Sequence, residues 1–130
     1  MMLRAALAFV LAVAGFVPPD LSFAQLQRQF PKNALRGSIV VGEPPAVVLN
    51  GRETRFAPGA RIRNQANMIA LSGSLVGAKL LVHYTLDSMG QLGDVWILTP
   101  EEAAKRPWPA TREQAETWLF DASTQTWSRP

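Results

Sequence analysis

The chain has 130 residues, 48% of them apolar, with no cysteine, one histidine and a formal net charge of +3. That length supports one domain around one core. The composition excludes disulfide staples and thiolate metal centres, so burial alone must hold the fold together.

The first segment is an address. Arg4 precedes an unbroken run of apolar and small residues, 5–17, which Pro18-Pro19 ends. Ser22-Phe23-Ala24 then puts small residues at the two positions a signal peptidase reads. Residues 1–24 are predicted to be a signal peptide cleaved between Ala24 and Gln25, leaving a periplasmic or secreted protein. The apolar run of 13 residues is shorter than the roughly 20 that a spanning helix needs, so no stable transmembrane anchor is expected. Cleavage removes one cation, Arg4, and one anion, Asp20, and leaves the net charge at +3.

Residues 25–33 form a polar leader containing Pro31. The single domain, residues 34–120, follows. Residues 35–41 read as a strand with β-branched Ile39, Val40 and Val41. Gly42-Glu43-Pro44-Pro45 breaks it. Residues 46–49 and 52–56 are predicted to form a hairpin across Asn50-Gly51, a type I′ turn signal, pairing Leu49 with Arg52 and Val47 with Thr54. Pro58-Gly59 separates a further short strand, 60–63, and another is expected at 68–71.

Residues 79–86 and 91–98 read as one long hairpin. With Gly90 left-handed in a bulged turn, Leu80, Val82 and Leu86 stand opposite Leu98, Trp96 and Leu92, and all six share one face. His83 then faces Val95 and Tyr84 faces Asp94, so a His83–Asp94 pair is not expected. Thr99-Pro100-Glu101-Glu102 is a capping box with proline at the first helical position, predicting a short helix over 100–105. A second is predicted over 112–119, with Ala115, Trp118 and Leu119 on its buried side. Residues 121–130 read as a loosely held tail pinned by Trp127. Six or seven short strands between Gly and Pro breaks give a mainly β fold: a small antiparallel β-barrel, OB-like or similar, with one or two short C-terminal helices.

Charge is distributed unevenly. Arg52, Arg55, Arg61 and Arg63 fall in one stretch, while Glu101, Glu102, Glu113, Glu116 and Asp121 lie towards the C-terminus. The arginines are candidates for binding phosphate or carboxylate groups of an envelope partner. The competing reading is a solvated strand edge protected against pairing. Trp108, between two prolines, is the best candidate for an exposed aromatic; alternatively it caps the barrel end. No recognised nucleic-acid-binding motif occurs and export would remove the usual targets, so nucleic acid is not expected as a partner.

Three stretches carry a resemblance: Phe30-Pro31-Lys32-Asn33-Ala34-Leu35-Arg36-Gly37; Pro58-Gly59-Ala60-Arg61-Ile62-Arg63; and Val82-His83-Tyr84-Thr85 with Val95-Trp96-Ile97-Leu98-Thr99-Pro100-Glu101-Glu102. The chain resembles a family of small uncharacterised exported proteins of proteobacterial type across nearly all of its mature length. The resemblance implies location and single-domain character and transfers no site. The strands with Asn-Gly are also similar to small OB-like barrels of the bacterial envelope.

A zinc site would need His83 plus scattered acids. Ser72-Gly73-Ser74 lacks the flanks of a nucleophile elbow and reads as a turn. Glu101 and Glu102 are accounted for by helix capping, and no phosphate-binding glycine loop occurs. No catalytic residue, metal ligand or cofactor is assigned. The expected function is a non-enzymatic binding module whose partner is an envelope protein or an anionic polymer. The alternatives are a small cell-wall hydrolase using His83 or a carboxylate as base, and a barrel-type ligand carrier.

Overall fold

The computed structural model describes residues 27–130; the predicted signal peptide and its cleavage site lie outside the described residues. Strand β1 (Leu35–Val41) alternates buried and half-buried positions along its whole length, as one core-facing side requires. β2 (Ala46–Leu49) and β3 (Arg52–Arg63) are joined by the predicted turn. Asn50 and Gly51 have φ of 51° and 84°, the left-handed pair that a type I′ turn demands. Leu49 stands opposite Arg52 and Val47 opposite Thr54.

β3 is one strand of 12 residues rather than two short ones. Pro58-Gly59 is absorbed as an irregularity, with Gly59 at φ 78°. β4 (Ile69–Ala70), a 3₁₀ turn (Ser72–Leu75), β5 (Lys79–Leu86) and β6 (Leu92–Ile97) follow. Then come two short helices, α1 (Pro100–Ala103) and α2 (Arg112–Thr117), and a hairpin of β7 (Leu119–Asp121) and β8 (Thr126–Ser128). No helix among the described residues is long and apolar enough to cross a membrane.

The sheet runs β2-β1-β5-β6-β3-β4, and β2 also bonds β3. Five strands thus close into the small barrel expected, five being the number of an OB-like barrel. One seam corrects the antiparallel expectation: β3 and β6 pair in parallel. An odd number of strands cannot alternate direction all the way round a ring, so closure forces at least one parallel seam. Ile39, Val41, Val47, Phe56, Ile62, Val82, Leu92 and Val95 fill the interior, each almost wholly buried.

The long hairpin agrees with the predicted register only near its turn. Leu86 pairs with Leu92, and Gly90, at φ 79°, donates its N–H to the Asp87 carbonyl. Beyond that point the register slips: Tyr84 faces Val95, His83 faces Trp96, and Val82 faces Ile97. Gly93 and Asp94 together oppose Thr85, whose Oγ1 accepts the Asp94 N–H at 3.0 Å. This bulge moves Trp96 from the interior face, where the apolar pattern had put it, to the outer face beside His83. The pattern misled because both faces are buried: Val82, His83, Tyr84 and Thr85 are all covered.

That outer face carries a second, aromatic core. Phe30 of the leader meets His83 edge-on at 4.5 Å and Trp96 at 5.6 Å. Trp108 stacks on His83 at 4.0 Å, and Phe120 and Trp127 pack beyond it. Residues 121–130 are therefore not a loose tail. They complete a hairpin in which Trp127 and Gln125 are buried. Thr99 and Glu102 form the predicted capping box, although α1 stops at Ala103. α2 stops at Thr117, so Leu119 lies exposed on β7 instead of on a buried helix face.

Candidate functional site

Two sets of arginines differ in role, those of the leader and β1 and those of β3. Arg28 and Arg36 are structural. Arg28 grips the Glu102 carboxylate with Nε and Nη2 and donates to the Asn64 and Ile97 carbonyls, tying the leader to α1, the β3–β4 turn and the end of β6. Arg36 donates to the carbonyls of Glu102, Ala103 and Lys105, at the C-terminal end of α1, where a cation is favoured. Its Nε and Nη2 also reach His83 Nε2 at 3.2 and 3.0 Å.

That last contact defines His83. A guanidinium group only donates, so Nε2 must be the acceptor and the ring proton sits on Nδ1. Nδ1 has no hydrogen-bond partner among the described residues. Burial, then the charges of Arg36 and Arg28, push the His83 pKa down to about 2. The ring is neutral at any physiological pH, and its one lone pair is already engaged. For Glu102, burial pushes the carboxyl up, but hydrogen bonds from Arg28 and Thr99 outweigh it and hold the pKa below the usual 4.5.

The β3 arginines differ. Phe56 and Ile62 point into the barrel, so Arg55, Arg61 and Arg63 share the outer face. Arg52 shares the parity of Thr54 and Phe56, and stands exposed at the hairpin end. Three of the four predicted residues therefore come together, and Arg52 does not join them. Phe56 and Arg61 stand opposite Leu92 and Asp94, only two positions apart on β6. The intervening β3 residues bulge, so Phe56 and Arg61 are roughly 6–7 Å apart instead of the roughly 16 Å that regular strand spacing would give.

None of these three side chains makes a hydrogen bond among the described residues. Arg61 Nε and Arg63 Nη1 lie 3.4 and 3.6 Å from the same oxygen, Asp94 Oδ1, too loose for hydrogen bonds. The Arg63 guanidinium also sits 6.0 Å over the Trp96 ring.

Trp108 is corrected to an interior position. It is 7% exposed, its Nε1 donates to the Ala34 carbonyl at 2.9 Å, and the Arg36 guanidinium lies 5.4 Å over its ring. It caps the outer face of β5 and leaves little surface open. A cavity of about 680 Å³ that Trp108 borders is lined by Arg28, Phe30, His83, Glu102 and several amides, and by none of the four arginines. A second, of about 540 Å³, opens between Lys32, Leu35, Leu86, Arg112, Ala115 and Glu116. Among the described residues no three His, Asp or Glu side chains gather as a metal site.

Arg28, Arg36 and Asp94 were missed by sequence reading. The i, i+2 spacing of Arg28 and Phe30 was the one available sign that the leader is a docked strap. Comparison with protein-family models, curated proteins and solved structures gives no match.

Proposed function

We propose that the protein is a non-enzymatic binding module of the bacterial envelope, holding an anionic polymer along the outer face of β3. One observation carries this reading. Arg55 has no ion-pair partner among the described residues, and Arg61 and Arg63 share only long contacts to one Asp94 oxygen, so the row keeps hydrogen-bond donors to offer, in a molecule whose Arg28 and Arg36 are committed to hydrogen bonds inside the fold. Guanidinium forks suit carboxylate and phosphate groups. The predicted export segment supports an envelope location. The hydrolase alternative is disfavoured where it relies on His83, because that lone pair faces Arg36 and the ring is wholly buried. The carrier alternative is disfavoured by an interior filled with the barrel's own side chains.

Cosedimentation with purified peptidoglycan sacculi tests the proposal. The Arg55→Ser/Arg61→Ser/Arg63→Ser variant is expected to bind about tenfold more weakly, from roughly 0.5 kcal/mol for each exposed ion contact. Binding by the native protein should also fade as salt rises. Equal retention of the native protein and the triple variant would refute the assignment.

A further inference from the structure

We propose that Asp94 is a built-in stand-in for the ligand's anionic group, displaced when a linear polyanion docks along β3. The inference rests on the binding role given above to the arginine row. Asp94 Oδ1 lies between Arg61 Nε and Arg63 Nη1, at 3.4 and 3.6 Å. A single oxygen therefore faces two cations and satisfies neither as a hydrogen-bond partner. The position is that of an incoming oxyanion, but the donors stay available.

Backbone geometry, not the arginines, puts Asp94 there. The bulge at Gly93-Asp94 turns its side chain to the outer face, and Thr85 Oγ1 fixes its N–H. The bond fixes the backbone at Asp94, while its side chain is free to rotate, so the carboxylate can swing aside. A carboxylate or phosphate brought by a ligand can take the place it vacates. It can approach to hydrogen-bonding distance and take two or more guanidinium donors at once, the stronger arrangement. Arg63 is held over the Trp96 ring, so one side of the gap is already formed.

The spacing favours a linear ligand. From the strand register, Arg61 and Arg63 are about 6–7 Å apart along β3 and Arg55 lies about 10 Å before Arg61. Three cations in single file match oxyanions repeating along a polymer. With Asp94 swung aside, its negative charge lies farther from the centre of contact.

The experiment measures binding of fluorescent poly-L-glutamate and of inorganic polyphosphate to the full mature chain at low salt. Asp94→Asn is expected to tighten binding about two- to fivefold, the worth of one exposed ion pair. Glu53→Gln supplies the control, because it makes the same charge change on the outer face of β3. Glu53 forms no ion pair among the described residues, so its gain should be less than half as large. Arg61→Ser/Arg63→Ser should erase the Asp94→Asn gain. Asp94→Ser repeats the test if the amide disturbs folding. A gain confined to one probe identifies the carboxylate or the phosphate as the recognised group. Equal effects of Asp94→Asn and Glu53→Gln, or weaker binding by Asp94→Asn, overturn the inference. Failure of the native protein to bind either probe, with the arginine variant unchanged, instead sinks the binding role itself.

Discussion

Replacing His83 by glutamine should flatten the pH dependence of folding stability. In the folded chain His83 is neutral down to about pH 2. In the unfolded chain it takes a proton near 6.5. Its folded pKa is therefore depressed, and the unfolded state binds the extra proton between those values. The native state is accordingly penalised as pH falls below 6.5, with a slope approaching about 1.36 kcal/mol per pH unit. From about pH 7.5 to 5 the loss sums to about 2 kcal/mol. The Arg28–Glu102 pair does not blur this window, since Glu102 contributes fully above its ordinary 4.5 and fades only below it. The His83→Gln side chain would keep an acceptor oxygen for Arg36 and remove the titration. Urea denaturation across that range should show the native midpoint falling by about 1 M or more while the variant stays nearly level. The chain has one histidine, so its ring-proton resonance reports the folded pKa without ambiguity. Parallel stability profiles, or native-state titration of that resonance near 6.5, would refute the reasoning.

The buried clusters set two further expectations for stability. Arg28→Met leaves the Glu102 carboxylate without its partner, at 14% side-chain exposure, and should cost about 3–5 kcal/mol in urea denaturation. Adding Glu102→Gln should restore part of that loss, and strict additivity of the two changes would contradict the pairing. Trp108→Ala removes the ring stacked on His83 and the donor to the Ala34 carbonyl. It should cost about 3–5 kcal/mol, while a cost below about 1 kcal/mol would mean that the outer aromatic core is dispensable.

The elements legible in the sequence were those specified by local chemistry. Asn50-Gly51 needs two left-handed residues and has them. Thr99 and Glu102 cap each other across three positions. The errors arose where long-range packing decides. Alternation locates an interior face only when the other face meets water, and β5 buries both. The slip at Gly93-Asp94 is accompanied by a bond to one hydroxyl, Thr85 Oγ1, nine residues away in sequence. The parallel β3–β6 seam exists only once the ring closes. For the candidate site, the arginine stretch was visible as a charge run, but strand parity removed Arg52 and the barrel register brought Asp94 to Arg61 and Arg63. Trp108 stayed open between an exposed ring and a cap because nothing local shows that the leader and the last hairpin close over it; the cap reading holds, over the outer face of β5.

The outer surface of the barrel is thus divided, and the division bears on function. A register row crosses four strands: Arg36 on β1 faces His83 on β5, His83 faces Trp96 on β6, and Trp96 faces Arg63 on β3. The row starts under the aromatic cover and ends beside the arginine face. Phe30 packs on Trp96, and Trp96 in turn steadies Arg63. Arg28 locks the leader that carries Phe30 onto Glu102. The order of the arginine face at Arg63 therefore depends on the strap, although the strap lies on the covered side. A Phe30→Ala change should accordingly weaken the polyanion contact through Arg63 as well as loosen the aromatic core, whereas Arg55, beyond the β3 bulge, should keep its share.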